Sequence, residues 1–298
     1  MIQARRLYVL RLPGGRVLEL GRRTLVMGIL NVTPDSFADG GAYLDPGRAG
    51  EAAQQLEADG ADLIDIGGES TRPGADPLSV GEEMDRVLPV LEEVTKSVSV
   101  PISIDTYKAE VAQRALDGGA AMINDISALS YDPDLARVVA TAGVPVVLMH
   151  NRGRSSEMYR EAQYSHVVAE VSDELLAGIQ RATDAGVSRD QTIVDPGLGF
   201  AKEGPHTLSA LANLTGLTPL DRPILVGPSR KSFLKSALGD VPPGEREWGT
   251  AAAVTAAVLL GAHIVRVHGV RAMSQVVRVA DELRGLRDPD ETKWATTS

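Results

Sequence analysis

Short apolar runs alternate with longer segments of helical periodicity along most of the chain, and this alternation constrains the fold more than any other feature. The apolar runs predict eight strands, at residues 25–31, 62–66, 101–105, 122–126, 144–149, 192–195, 223–226 and 263–267. The segments between and after them predict helices at residues 45–58, 80–97, 108–116, 133–142, 164–185, 207–214, 249–260 and 272–286. Strands that are apolar nearly throughout are buried on both faces, which is typical of a parallel sheet. Eight such units predict a (β/α)8 barrel, with a doubly wound open sheet as the alternative.

The pattern divides the chain into three regions. Residues 1–24 alternate apolar and polar side chains around Pro13-Gly14-Gly15, which predicts a β-hairpin in front of the barrel. The barrel is expected to span residues 25–286 as one catalytic domain, because no linker divides that stretch. The polar, proline-interrupted residues 287–298 are expected to form a tail.

The composition excludes several classes of protein. The chain has no cysteine, so disulfides, a thiolate nucleophile and cysteine-ligated metal sites are excluded. Its net charge of -10 at pH 7 argues against non-specific binding to nucleic acid, although it leaves room for a local basic pocket. No window approaches the roughly 20 apolar residues of a membrane-spanning helix, and the first residues lack the apolar segment of a signal peptide. We therefore expect a cytoplasmic protein that binds neither nucleic acid nor membrane.

Polar and ionisable residues follow the predicted strands at their carboxyl ends, whereas the opposite ends carry mostly plain glycine and proline turns. In barrels of this type the active site forms at the carboxyl ends of the strands. The most polar of these ends is GGESTRPG at residues 67–74, which directly follows a strand containing Asp65. The other ends carry Asn31, Asp105, Asn124, His150, Asp195, the sequence GPSRK at residues 227–231, and Arg266 with His268. This asymmetry predicts an enzyme.

These polar residues form two chemical groups. Carboxylates and an amide on rigid strands suit a flat heterocycle with several N–H groups, and they are Asp65, Asp105, Asn124 and Asp195. Cations and donors suit a phosphate or pyrophosphate group, and they are Arg72, Lys231, Arg266 and His268. Arg266 and His268 alternate along one strand, so both side chains are expected to point into the barrel, where they need an anionic partner.

Some of these residues also have simpler interpretations. An aspartate within a strand can be a buried acid satisfied by its neighbours, and His150 can be either a ligand or a histidine bonded to backbone. The histidines interpreted as structural or surface residues are His166, His206 and His263. Residues 227–231 lack the spacing of a Walker A phosphate loop. Oxygen ligands such as Asn31 favour a loosely held Mg²⁺ that also contacts substrate phosphates.

Seven motifs, each at a predicted strand end, are similar to those of a known family, the dihydropteroate synthases of folate biosynthesis. They are NVTPDSF (31–37), DIGGESTRPG (65–74), SIDT (103–106), IND (123–125), DPGLGFAK (195–202), GPSRKSF (227–233) and RVH (266–268). The resemblance extends from residue 25 to residue 283. It implies a pterin-binding barrel that condenses 6-hydroxymethyl-7,8-dihydropterin diphosphate with 4-aminobenzoate, giving 7,8-dihydropteroate and pyrophosphate.

The same resemblance implies roles for individual residues. The pterin ring would be held by Asp105, Asn124, Asp195 and Lys231. The diphosphate would be bound by Asn31, Arg266 and His268, with Asn31 also contacting Mg²⁺. The aminobenzoate pocket, where sulfonamides compete in this family, would be formed by Phe37, Thr71, Arg72, Pro73 and Ser232. The catalytic residues would be Asp35, Asp105, Asp195 and Lys231, with the loop around Asp35 closing over the site.

One position departs from the family pattern. After His268 many members carry an aspartate, whereas this chain carries Gly269, which removes a carboxylate beside the diphosphate. Two other functions remain as alternatives: a methyltetrahydrofolate-binding domain of a corrinoid methyltransferase, and a non-catalytic pterin-binding paralogue. The basic rim argues against the first, and the intact loops at residues 31–37 and 71–73 argue against the second. Because the family usually dimerises through its last helices, the resemblance also predicts a homodimer.

Overall fold

The computed structural model describes residues 5–32, 46–71, 74–154, 159–160 and 162–285. The strands in these residues are β1 (Tyr8–Arg11), β2 (Val17–Leu20), β3 (Leu25–Asn31), β4 (Leu63–Gly67), β5 (Ile102–Asp105), β6 (Met122–Asp125), β7 (Val146–Met149), β8 (Thr192–Asp195), β9 (Leu225–Val226) and β10 (Ile264–Val267). The helices are α1 (Pro46–Ala58), α2 (Val80–Ser97), α3 (Ala109–Asp117), α4 (Leu135–Ala142), α5 (Val167–Asp184), α6 (Gly204–Ala212), α7 (Lys235–Leu238), α8 (Glu247–Leu259) and α9 (Val270–Gly285).

The strands from β3 to β10 form one parallel sheet in the order β8-β7-β6-β5-β4-β3-β10-β9. The two ends of this order meet, because the amide of Val194 in β8 donates to the carbonyl of Pro223 at 2.9 Å, just before β9. Val194 also forms a parallel bridge with Ile224. The sheet is therefore closed, which confirms the predicted (β/α)8 barrel and excludes the open sheet. Closure also leaves the barrel strands without an unpaired edge.

The predicted N-terminal hairpin is confirmed, and it covers the amino-terminal end of the barrel. Its strands β1 and β2 pair antiparallel, and Leu10 and Leu20 are buried on the barrel. They pack with apolar side chains from the early parts of the barrel strands, namely Leu25, Met27, Leu63, Met122, Val147, Ile193, Leu225 and Ile264. Burying each such side chain contributes about 1.5–3 kcal/mol. Since the hairpin occupies this end, the accessible end is the one formed by the carboxyl ends of the strands.

Local sequence explains where individual helices begin. The helix α2 starts at Val80 as predicted, because Ser79 and Glu82 form a capping box in which each side chain accepts from the other residue's amide, at 3.2 and 2.9 Å. The helix α6 starts at Gly204 rather than at residue 207, because Pro205 suits a first helical turn that no apolar residue marks. The four-residue helix α7 was not predicted, since it is too short to show a helical period.

Candidate active site

The guanidinium of Arg266 joins the acidic residues at the mouth of the barrel into one network. Its Nε donates to Asp65 Oδ2 at 2.6 Å, and its Nη2 donates to Asp105 Oδ2 at 2.8 Å. Asn124 Nδ2 donates to the same oxygen of Asp65 at 2.9 Å. These four residues belong to β10, β4, β5 and β6, so the parallel barrel brings their side chains together. The sequence analysis assigned the acids and Arg266 to two different chemical groups, whereas the structure brings their side chains into contact.

Burial and charge pairing oppose one another in this network. Burial raises the pKa of Asp105 to about 7, although the neighbouring Arg266 charge acts to lower it. Burial also opposes the charge of Arg266, but the carboxylates of Asp65 and Asp105 outweigh it and raise the pKa of the guanidinium. One cation thus serves two acids, of which Asp65 has a fully buried side chain. Near neutral pH the Asp105 carboxyl can act toward a ligand as an acceptor or, when protonated, as a donor.

Asp195 and Lys231, beyond the ends of β8 and β9, are a second acid and base whose charges influence one another. Asp195 Oδ1 accepts from the amide of Gly197 at 2.7 Å. Lys231 Nζ donates to the carbonyl of Leu198 at 2.6 Å and lies 4.5 Å from the centroid of the Phe200 ring. Burial raises the pKa of Asp195 and lowers the pKa of Lys231 to about 8, and each charge partly offsets the shift of the other. Both side chains are therefore held by the loop at residues 197–200.

Glycine is required at the start of that loop. Gly197 has a left-handed backbone, with φ of 64°, and an added Cβ would lie 2.0 Å from the carbonyl oxygen of His150. The close approach of this loop to β7 fixes the position from which Gly197 donates to Asp195.

Lys202 is a residue of this region that the sequence interpretation missed. It is only 1% exposed, and its ammonium donates to the carbonyls of Gly197 at 3.1 Å and Phe200 at 3.0 Å. Its third contact is His150 Nδ1 at 2.7 Å, while His150 Nε2 lies 3.1 Å from Glu174 Oε2. This arrangement fits a neutral imidazole with its hydrogen on Nε2, and burial lowers the pKa of His150 to about 4. The available signal was a lysine at the end of the glycine-rich apolar stretch GLGFA, residues 197–201.

Glu69 anchors the long polar loop that follows β4. Its Oε1 accepts from the hydroxyl of Tyr107 at 2.9 Å, and its Oε2 accepts from the amide of Leu78 at 2.9 Å. The same Oε2 accepts from Lys108 Nζ at 2.5 Å, and that ammonium also bonds to Glu83 of α2. The acid of the GGESTRPG motif therefore fastens the loop to the barrel and to α2, rather than facing a ligand.

The loops after β9 and β10 are linked at the basic rim. His268 Nδ1 lies 2.9 Å from Ser229 Oγ, and the amide of His268 donates to the same oxygen at 3.2 Å. Asn31 ends β3, the strand next to β10 in the sheet. A Cβ added to Gly67 of β4 would lie 3.8 Å from Asn31 Oδ1 and 3.6 Å from Asp105 Oδ2, so both side chains flank the end of β4.

The side chains of the remaining predicted site residues either form no hydrogen bond with these networks within the described residues or lie outside the described part of the chain. Ser232 is exposed beside Lys231, and Thr71 is half-buried at the edge of the mouth. The predicted residues outside the described part of the chain are Asp35, Phe37, Arg72 and Pro73. Within the described ranges, no group of three or more histidine, aspartate or glutamate side chains could hold a metal ion.

Known proteins match the chain over almost its whole length. The pterin binding enzyme family matches residues 27–268. Among curated relatives, the dihydropteroate synthase of Synechocystis sp. is 45% identical over 273 residues, which cover 91% of this chain and 94% of that protein.

Solved structures match equally well. Dihydropteroate synthase of Yersinia pestis, determined as a complex with a sulfonamide drug, has a TM-score of 0.87 and 40% identity, over 93% of this chain and 99% of that one. The Xanthomonas albilineans enzyme, determined with 4-aminobenzoic acid, has a TM-score of 0.86 and 41% identity, over 94% and 99%. Because more than 90% of both this chain and each matched chain is covered, the similarity includes the barrel as a whole and not only its motifs.

Proposed function

The chain belongs to the dihydropteroate synthases of the pterin-binding enzyme family, and we propose that it joins 6-hydroxymethyl-7,8-dihydropterin diphosphate to 4-aminobenzoate with release of pyrophosphate. The observation that carries this proposal is the barrel mouth, where the Asp195–Lys231 pair and the Asp105–Arg266–Asn124 network supply both halves of a pterin diphosphate site. The Synechocystis, Bacillus subtilis and Escherichia coli relatives are dihydropteroate synthases, and they lend no support to the corrinoid methyltransferase or to the non-catalytic paralogue.

The pterin ring is proposed to bind between the two groups of acids. A carboxylate accepts two parallel hydrogen bonds from a guanidine-like edge, and Asp195 suits the amino edge of the pterin in this way. Within the described residues only its Oδ1 is bonded, to Gly197, so Oδ2 remains for the ring. Lys231 keeps further N–H groups for the ring carbonyl and ring nitrogen, while Asp105 and Asn124 would bond the opposite edge.

The diphosphate is proposed to bind at the cationic side of the mouth. Arg266 uses Nε and Nη2 for Asp65 and Asp105, and its Nη1 has no hydrogen-bond partner in the described ranges, which leaves it for a phosphate oxygen. His268 would contribute a second donor. The amide oxygen of Asn31 fits an Mg²⁺ held mainly by substrate phosphates and water, because the described residues offer no cluster of three side-chain ligands. When bound, such an ion neutralises charge on the departing pyrophosphate.

The aminobenzoate is proposed to bind at the outer edge of the same mouth. The residues proposed for its pocket are Thr71 and Ser232, together with Phe37, Arg72 and Pro73, which lie outside the described residues. The proposal is supported by the exposed position of Ser232 next to Lys231. It would place the amine within reach of the carbon that carries the diphosphate.

The residues of the chain act by binding and by electrostatic stabilisation. The carbon–oxygen bond to pyrophosphate breaks, and the positive charge left on the pterin is stabilised by the carboxylates of Asp105 and Asp195. The arylamine then forms the carbon–nitrogen bond and loses its proton to solvent, so no covalent enzyme intermediate is needed. Asp35, outside the described residues, completes the proposed catalytic set with Asp105, Asp195 and Lys231.

Pyrophosphate release by the purified chain tests this proposal. We expect release that requires Mg²⁺, the dihydropterin diphosphate and 4-aminobenzoate together, and that a sulfonamide blocks. In the same assay the variant Asp195→Asn is expected to lose this release. Asp190→Asn is its matched control, since Asp190 is an exposed aspartate paired with Arg11. Pterin binding without turnover would indicate the non-catalytic paralogue, and methyl transfer from a folate would indicate the corrinoid class.

The enzyme is also proposed to act as a cytoplasmic homodimer. Large apolar side chains are exposed on α8 and α9, where Trp248 is 86% exposed, Val279 62% and Leu283 47%. Exposed apolar surface of this kind is typical of protein contacts. Sedimentation is expected to give twice the mass of one chain, and Val279→Asp is expected to reduce it toward the mass of one chain.

Among the described residues, no helix combines the length and the apolar composition of a membrane span.

A further inference from the structure

The carboxylate of Glu247 occupies the space next to His268 that a side chain at position 269 would fill. A Cβ added to Gly269 would lie 2.0 Å from Glu247 Oε1 and 3.0 Å from Glu247 Cδ. The φ of Gly269 is not in the left-handed region, so its backbone does not require glycine. A Cβ at this position would instead have to displace the end of the Glu247 side chain. The absence of a side chain at position 269 therefore leaves the space that the Glu247 carboxylate occupies.

Glu247 is held in this place by Arg230. It is the first residue of α8, where a negative charge is favoured by the helix dipole, and its Oε2 accepts from Arg230 Nε at 3.1 Å. Two more bonds join the same part of α8 to the backbone of Arg230. Arg246 Nη1 donates to the Arg230 carbonyl at 2.9 Å, and the Arg230 amide donates to Thr250 Oγ1 at 3.0 Å.

These contacts hold Arg230 in a conformation that a non-glycine residue rarely adopts. Its φ is 58°, a left-handed conformation that persists in a non-glycine residue only where several contacts enforce it. Arg230 separates Ser229, which bonds to His268, from Lys231, which bonds to the Leu198 carbonyl. The backbone at Arg230 therefore leads directly into Ser229, through which it can affect His268, whereas Lys231 is held separately by the Leu198 carbonyl.

We propose that Glu247 is a positioning residue for the anion site: its carboxylate bonds to Arg230 and packs against Gly269, so it sets the spacing between the loop carrying Arg230 and the loop carrying His268. Its Oε2 fixes Arg230, while its Oε1 is buried against Gly269 and has no hydrogen-bond partner in the described structure. One carboxylate thus lies between two loops that the bonds between Ser229 and His268 also join. The inference rests on the proposed function for the identity of the anion, which is pyrophosphate.

A binding cycle with two ligands tests the proposal. The affinities of pyrophosphate with Mg²⁺, and of a pterin without a diphosphate, are measured by calorimetry for the wild type, Glu247→Ala, Gly269→Ala and the double variant. Glu247→Ala is expected to weaken pyrophosphate binding about tenfold, or about 1.4 kcal/mol, with pterin affinity changed less than about twofold. Gly269→Ala is expected to do the same, because its Cβ displaces only the end of the flexible Glu247 side chain.

The double variant and a conservative variant separate positioning from general damage. In the double variant the displaced carboxylate is already absent, so the loss is expected to be no larger than in either single variant, a non-additive result. Glu247→Gln keeps an acceptor for Arg230 and is expected to stay within about threefold of the wild type. Glu245→Ala changes an exposed glutamate two positions earlier and serves as the control.

Several results would overturn the proposal. They are unchanged pyrophosphate affinity in Glu247→Ala, equal losses for pyrophosphate and pterin, and additive losses in the double variant. A wild type that binds no pyrophosphate would overturn it together with the proposed anion site. A wild type that binds pyrophosphate but forms no dihydropteroate would overturn only the proposed function, since the binding cycle still measures the role of Glu247.

Discussion

Arg266 donates to Asp105 across the barrel mouth at 2.8 Å, so the proposed anion-binding residue is also the counter-ion of a proposed pterin-binding residue. Because Asp65 accepts from the same guanidinium at 2.6 Å, one cation balances two acids. The two proposed halves of the site are therefore electrostatically coupled. A change at Arg266 alters both the charge offered to a diphosphate and the pKa of Asp105, which the guanidinium acts to lower.

Arg266→Ala is expected to weaken binding of the diphosphate-bearing substrate far more than binding of free pterin. The diphosphate loses a donor and a positive charge, whereas the ring keeps Asp195, Lys231 and Asn124. We also expect the free energy of unfolding to fall by about 3–5 kcal/mol, because two buried carboxylates lose their cation. Calorimetry with both ligands and urea denaturation measure these effects.

Arg271→Ala, at an exposed arginine of α9, is the control for the Arg266 variant. Equal losses for the two ligands would count against an anion-binding role for Arg266, and would leave it only the pairing with Asp65 and Asp105.

Asp195→Asn is expected to reduce pterin affinity about a hundredfold or more, since an amide presents a donor where the guanidine-like edge needs an acceptor. The fold should survive, because the amide oxygen can still accept from the Gly197 amide and the buried charge is removed. Fluorescence titration with a pterin measures the affinity, and circular dichroism checks the fold. Tight pterin binding by a folded Asp195→Asn variant would show that Asp195 does not hold the ring.

The fold was predictable because its signals are local. The apolar runs at Leu25–Asn31 and Thr192–Asp195 match the observed strands to the residue, and the Ser79–Glu82 capping box fixes the start of α2. The strand β9 is shorter than predicted, with only Leu225 and Val226 in regular pairing. Residues 223 and 224 still make the contacts that close the barrel, which no local pattern could reveal.

The site was predictable only in part, because several of its groups depend on contacts between distant segments. The polar strand ends identified Asp105, Asp195 and Lys231. Lys202 was missed, because a glycine-rich loop suggests an exposed lysine, whereas its contact with His150 spans 52 positions. The glycine at position 68 is explained by packing that no local pattern reveals, since a Cβ there would lie 2.7 Å from Val87 Cγ2 of α2.

Lys202→Met is expected to weaken pterin binding about tenfold, because the carbonyls of Gly197 and Phe200 lose a donor and the loop that holds Asp195 and Lys231 shifts. Burial lowers the pKa of Lys202 to about 7 in the folded chain, so its charge opposes folding at neutral and lower pH. Methionine removes that cost, so we expect little loss of stability at pH 6. Pterin affinity and urea denaturation are measured together.

Lys235→Met, at an exposed lysine paired with Asp240, is the control for the Lys202 variant. A Lys202→Met protein that loses stability but keeps its pterin affinity would contradict the positioning role and leave Lys202 a purely structural one.

His263 is expected to make the chain less stable as the pH falls. Its Nδ1 accepts from the Ile224 amide and its Nε2 lies 3.1 Å from the Arg6 carbonyl, which requires a neutral ring. Burial lowers the pKa of His263 from 6.5 to about 4, so the unfolded chain takes up the proton first and stability is lost as the pH falls through this window. Between pH 7 and pH 4.5 the wild type should lose about 2–3 kcal/mol more than His263→Gln, measured by urea denaturation, because the variant lacks this group. His166→Gln, at an exposed histidine, should behave as the wild type, and coincident pH profiles for the wild type and His263→Gln would contradict the lowered pKa.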